Sequence, residues 1–248
     1  MTLDSFGELA NSGSREGLMM LMFHHVLRPR VMANFRALCL LPLAFRRFVE
    51  QARNAGVKTV KPGDYIQSAE EGPPQICITF DDGGRSVVQN ALPCLTEAGF
   101  SSTMFVLAGK IGGSNDWDIS HRAGGLPLAD EMEIRDWIGA GQRIGSHGWS
   151  HRWLTRLSPT ELQREVCDSK KSLEDRFCVA IEDFCYPYGD TNPTVARMVE
   201  SAGYATACTT VPGINTCAEN PYALKRVSVQ HRRAWLAAIL PGPLAARV

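Results

Sequence analysis

Short apolar runs rich in β-formers alternate with amphipathic stretches of helical period along most of the chain, and this rhythm narrows the fold more than any other feature. Residues 17–23, 75–80, 102–107, 143–146, 179–186, 205–209 and 226–229 read as strands. Between them, residues 43–56 place Phe45, Phe48, Val49 and Ala52 on one helical face, with Gly56 closing the helix. Further helices are expected over 86–98, stopped by Gly99, and over 130–140 and 194–202. The sharpest local signal is Ser158-Pro159-Thr160-Glu161, which offers a serine cap, proline at the first helical position and glutamate three residues after the cap. The helix that it opens is expected to run to about Phe177. Strand–helix–strand alternation implies a mostly parallel sheet covered by helices. About seven strands in 248 residues suit a closed or nearly closed (β/α) barrel in a single domain. Residues 114–128 form the longest irregular stretch and read as a surface loop, which leaves His121 to solvent.

Charge and cysteine usage exclude several functional classes. Lys plus Arg and Asp plus Glu each total 26, so no net field recruits nucleic acid or anionic lipid. No run approaches the roughly 18 apolar residues of a membrane span. The N-terminus lacks the basic start of a secretory signal, so a cytoplasmic protein is expected. None of the eight cysteines forms a CxxC pair, and several lie in apolar runs, which suits reduced structural thiols. Neither GxGxxG nor GxxxxGK[ST] occurs, which removes support for nucleotide chemistry.

The strand at 75–80 ends in Asp81-Asp82-Gly83-Gly84. Adjacent carboxylates resist joint ionisation unless a cation or a proton intervenes. On its own this pattern fits two descriptions. One is a solvated turn, which Asp and Gly favour. The other is a metal site in which one acid binds the ion and its neighbour handles protons. The run Gly145-Ser146-His147-Gly148-Trp149-Ser150-His151 follows another expected strand, and its histidines are four apart, so one helical turn would bring both imidazoles to the same face. Such a pair is usually incidental, but beside an Asp-Asp strand end in a chain with six histidines it reads as a ligand pair. Two imidazoles and a carboxylate suit Zn²⁺, with Co²⁺ or Ni²⁺ as alternatives.

Together, Thr79-Phe80-Asp81-Asp82-Gly83, Ser146-His147 through His151, and Cys185-Tyr186-Pro187-Tyr188-Gly189-Asp190 resemble the polysaccharide deacetylase family, the NodB-homology domain of carbohydrate esterase family 4. The resemblance runs from about Leu18 to Val229 and implies a distorted (β/α)7 barrel. It divides the chain into an N-terminal extension at 1–17, a catalytic domain at 18–240 and a tail at 241–248.

The resemblance further implies removal of acetyl from an N-acetylated sugar or glycan, with Asp81 as general base and Asp82, His147 and His151 as metal ligands. It assigns the backbone N–H of Tyr188 to an oxyanion hole, with the Tyr188 ring walling the sugar site. The general acid is expected at His24, because Phe23-His24 resembles the opening (Y/F)H strand of the poly-N-acetylglucosamine deacetylases, as does the segment at 56–66. His231 is the alternative acid, and His25 reads as a packing residue.

Two positions depart from the family pattern. Cys185 stands where many members carry an arginine that pairs with the base, and Arg226 is either its replacement from another strand or an ordinary surface residue. Gly148 replaces the usual threonine after the first metal histidine. Alternative functions are hydrolysis of cyclic amides or other N-acyl groups on the same fold, or carbohydrate binding without turnover. The oligomeric state is not legible.

Overall fold

The computed structural model describes residues 17–28, 38–67, 75–117, 125–216 and 218–229. Most of the expected N-terminal extension, the tail at 241–248, His121, Cys217 and His231 lie outside them. Ten strands are found among the described residues: β1 Met19–Phe23, β2 His25–Val26, β3 Cys39–Leu40, β4 Lys58–Thr59, β5 Gln75–Phe80, β6 Thr103–Val106, β7 Arg143–Ser146, β8 Asp183–Cys185, β9 Thr206–Cys208 and β10 Val227–Ser228.

Seven of these strands form a continuous parallel path in the order β10-β1-β5-β6-β7-β8-β9. β1 pairs along one side of β5, and β4 and β6 pair with the other end-to-end portions of β5. At the far edge, Cys208 of β9 bridges Leu224 in parallel, three residues before β10 begins. The segment from Leu224 to Ser228 therefore links the two edges of the curled sheet, and the result is a distorted (β/α)7 barrel.

Helices cover the outer face. α1, Pro42–Asn54, buries Phe45, Phe48, Val49 and Ala52, the four residues its spacing singles out. The expected helix over 86–98 is in fact two, α3 Arg85–Asn90 and α4 Leu92–Ala98, after the short α2 Pro62–Gln67. Pro93 explains the break at Ala91, since it has no N–H to donate and its ring crowds the carbonyl four residues earlier. α5, Glu131–Gly139, starts with a capping box between Asp130 and Glu133. α6, Pro159–Gln163, opens with the expected Ser158–Glu161 box. It continues through a π-helical turn, Arg164–Asp168, into α7, Ser169–Phe177. α8 spans Pro193–Ser201. The expected strand over 179–186 shrinks to β8. Its first residues are held off the sheet where Ile181 donates its N–H to Glu174 and accepts from Lys170.

Period-two alternation divides each strand between two apolar layers. On the outside, Phe23, Phe45, Phe48, Phe80 and Trp137 interlock, with ring centroids 5.4 Å apart for Phe23–Phe80 and 5.8 Å for Phe80–Trp137. This cluster fastens α1 and α5 to the β1–β5 ladder. Inside the barrel lie Met20, Cys77, Phe105, Cys185, Cys208 and Leu224. The seven cysteines among the described residues are unpaired. Cys77, Cys185 and Cys208 act as small apolar fillers, and burial pushes their thiols above the ordinary range. Among the described residues no helix is long and apolar enough to cross a membrane.

Candidate active site

The carboxyl ends of β5, β7 and β8 and the residue after β1 meet at one rim of the barrel. Asp81 continues β5 and donates its N–H to the Phe23 carbonyl at 2.9 Å, so the ends of β1 and β5 are tied together. The chain then turns through Asp82 at φ 72°. Gly84 is needed because a Cβ there would lie 2.5 Å from Nδ1 of His25. The acids thus sit on a constrained turn, and the glycine admits a buried imidazole behind it.

Asp82 Oδ1 lies 3.5 Å from His147 Nε2 and 3.4 Å from His151 Nε2. These separations are too long for good hydrogen bonds, and the oxygen is buried without a hydrogen-bond partner. Donor atoms about 2.0–2.1 Å from a tetrahedral zinc lie about 3.4 Å from one another, so the spacing fits a shared dication. His147 Nδ1 donates to the Cys185 carbonyl at 2.7 Å, which turns Nε2 toward Asp82.

Burial opposes ionisation of Asp82, yet the two imidazoles outweigh it and hold its carboxyl well below the ordinary range. Burial likewise opposes charge on His147, but the Asp82 and Asp81 carboxylates raise its pKa above the usual value. The donor set fits a divalent ion. The expected helical turn between the histidines is absent. Left-handed Gly148 (φ 85°) and His151 (φ 63°) fold 147–151 into a loop whose two imidazole centroids are 5.0 Å apart.

Asp81 has a different partner. Arg226 grips it with Nη1 at 2.7 Å from Oδ1 and Nη2 at 2.8 Å from Oδ2. The guanidinium also donates to the Thr209 carbonyl, to Thr79 Oγ1 and to Cys185 Sγ, at 2.9, 3.1 and 3.1 Å. Arg226 is 1% exposed, inside the barrel, and is not a surface residue. The small Cys185 side chain leaves space for it. Burial opposes ionisation of Asp81, but Arg226 prevails and the carboxyl pKa is lowered. His24 follows β1, is half-buried, and lies close enough for its charge to act on Asp81 and Asp82. His25 points behind the turn, with Nδ1 3.5 Å from Ser86 Oγ, and burial lowers its pKa to about 4.

Tyr188 adopts φ 60° in the Pro187–Gly189 turn after β8. Its ring stacks on Trp153 at 4.3 Å and meets His151 edge-on at 4.4 Å, while Trp117 stacks on His151 at 4.5 Å. Trp153 and Tyr188 are 42% and 38% exposed, so this row of rings runs from the buried imidazoles to the surface. Three of the four non-glycine residues with positive φ among the described residues are Asp82, His151 and Tyr188. Such conformations cost free energy and concentrate at functional sites.

A profile of the polysaccharide deacetylase family matches residues 68–207. The chain belongs to the polysaccharide deacetylase family. YxkH of Bacillus subtilis (strain 168) is 29% identical over 189 residues, which cover 75% of this chain and 63% of YxkH. The peptidoglycan-N-acetylglucosamine deacetylase PgdA of Listeria monocytogenes is 25% identical over 126 residues, 50% of this chain and 24% of PgdA. The chain therefore spans less than two thirds of either relative.

Its fold matches the Streptococcus pyogenes deacetylase PplD with a TM-score of 0.75 at 20% identity, over 91% of this chain and 98% of that one. IcaB from Ammonifex degensii gives a TM-score of 0.75 at 23% identity, over 90% and 96%. At the barrel rim of this family member, Asp81, Asp82, His147, His151, Tyr188 and His24 come together, as do three residues that carry no motif signal. Trp117, Trp153 and Glu165 reach the site only through tertiary packing.

Proposed function

We propose that this polysaccharide deacetylase hydrolyses the N-acetyl group of an amino sugar in a polysaccharide, oligosaccharide or glycoconjugate, using a divalent metal held by Asp82, His147 and His151. One observation carries the reading: a buried Asp82 oxygen without a hydrogen-bond partner faces two imidazole nitrogens at 3.4 and 3.5 Å, while the adjacent Asp81 is paired separately. PgdA, named for N-acetylglucosamine in peptidoglycan, supports the choice of sugar. Zn²⁺ fits the donors best, with Co²⁺ and Ni²⁺ next.

A bound dication supplies Lewis-acid polarisation of the amide carbonyl and acidifies water. Asp81, kept ionised by Arg226, accepts the proton of the attacking water as its oxygen bonds to the acetyl carbon. The Tyr188 N–H stabilises the oxyanion, and the Tyr188 ring walls one side of the sugar. His24 donates a proton to the departing nitrogen as the C–N bond breaks, leaving acetate and a free amine.

Acetate release from N-acetylglucosamine oligosaccharides by zinc-loaded protein tests the proposal. D81N and H24A should each lose at least about 100-fold in kcat. Release of acetate at the wild-type rate by D81N would remove Asp81 as base, and oligosaccharide binding without release by the wild type would favour a binding module.

A further inference from the structure

The loop between the two histidines has no regular secondary structure to hold it, yet both imidazoles must meet Asp82. Its Gly148 and Trp149 carbonyls accept the N–H groups of Ala108 and Gly109, while the N–H groups of Trp149 and Ser150 converge on one side chain. Glu165, 3% exposed, accepts the N–H groups of Trp149 at 2.8 Å and Ser150 at 2.9 Å on Oε2, and the Ser150 hydroxyl on Oε1. Two successive backbone N–H groups aimed at one oxygen form an anion nest. The nest depends on Gly148 at φ 85°, where a Cβ would lie 2.9 Å from Glu165 Oε2.

Glu165 in turn belongs to the π-helical turn Arg164–Asp168 that interrupts the helix opened by Ser158. A second chain of hydrogen bonds joins the same two elements. Gly148 N–H donates to Ser146 Oγ at 3.2 Å, Ser146 Oγ meets Ser169 Oγ at 3.0 Å, and Ser169 Oγ donates to the Glu165 carbonyl at 2.6 Å. Wide helical turns of this kind occur often at functional sites.

We infer that Glu165 is the positioning residue that sets the spacing of His147 and His151, and through it the affinity for the metal. The inference rests on the proposed metal reading, which has its own control. The Glu165 carboxylate touches neither imidazole; it acts by fixing the peptide groups between them. Reach therefore matters more than charge. Glutamine can place an oxygen at the Oε2 position for both backbone N–H groups and an amide toward the Ser150 hydroxyl. Aspartate keeps the charge but withdraws it by one methylene.

Zinc affinity is measured by competition with a chromophoric chelator for wild type, E165Q, E165D and D82A, at a temperature where each metal-free protein is folded. E165D should bind zinc about 10–100-fold more weakly, the range found when groups supporting metal ligands are lost. E165Q should stay within about threefold of wild type under the same reasoning. Wild-type affinity in E165D, or an equal loss in E165Q and E165D, would overturn the inference. Wild type and D82A binding zinc alike would instead sink the metal reading itself. Should E165D not fold, amide exchange in the metal-free wild type decides. Protected Trp149 and Ser150 amides support a tether built before the metal arrives, and exchange at the rate of an open loop contradicts it.

Discussion

Replacing Arg226 by methionine removes the only cation bonded to Asp81 among the described residues while keeping an apolar chain of similar length in the barrel. The wild-type pair is fully buried, with side chains 0% and 4% exposed, so solvent cannot take over from the lost partner. Breaking such a pair from one side costs about 3–5 kcal/mol, because a carboxylate is left desolvated. In a chain of this size that corresponds to a fall in Tm on the order of 10 °C.

The sign of the pH dependence is more diagnostic than the size. In the wild type the Asp81 pKa is depressed, so its contribution is present above the unfolded value near 3.8 and is lost as pH falls through the folded value. In R226M burial, the largest influence, is opposed only by the weaker pull of His147 and His24 and raises the pKa. The deficit of R226M relative to wild type is then greatest at pH 7 and shrinks as pH falls toward 4. Urea unfolding of metal-free protein at both pH values measures it, and D81N/R226M completes a double-mutant cycle. The double mutant should recover at least about 2 kcal/mol relative to the sum of the single mutants. A deficit that is constant with pH, together with additivity within about 0.5 kcal/mol, would refute the pairing argument.

Three other perturbations have defined outcomes. In metal-free protein the unfolded chain takes up a proton at His25 below its usual 6.5, whereas the folded one resists until about 4. Stability should therefore fall by about 2 kcal/mol from pH 7 to 5 through this residue, and an unchanged pH slope in H25Q would contradict it. G84A drives a methyl into the His25 ring, so urea unfolding should show a loss of about 1–3 kcal/mol. W117A removes the ring stacked on His151 at 4.5 Å, and calorimetric zinc affinity should drop about 3- to 10-fold. Unchanged affinity there would make the stack incidental.

Local signals reached the fold almost completely. The apolar face of α1, the strand ending at Phe80 and the Ser158 box each depend on neighbours within a few residues. Errors arose where distant or steric effects decide. Pro93 splits a helix that periodicity would continue. Bonds between Ile181 and the preceding helix shorten β8. The histidine loop gains its shape from left-handed residues and from Glu165, fourteen positions beyond His151. Asp81, Asp82, His147 and His151 stood out as candidates because they lie in two compact motifs, and the fold brings them to one rim. Sequence left Arg226 open between pairing with the base and the surface, since it meets Asp81 across 145 positions and only barrel closure brings them together.

A zinc titration of metal-free wild type, D81N and D82A by isothermal calorimetry tests the central claim most directly. The account predicts one ion per chain in wild type and D81N and no binding in D82A, because Asp82 faces the imidazoles while Asp81 is held by Arg226. Binding in D82A at wild-type affinity, or loss of binding in D81N alone, would contradict it.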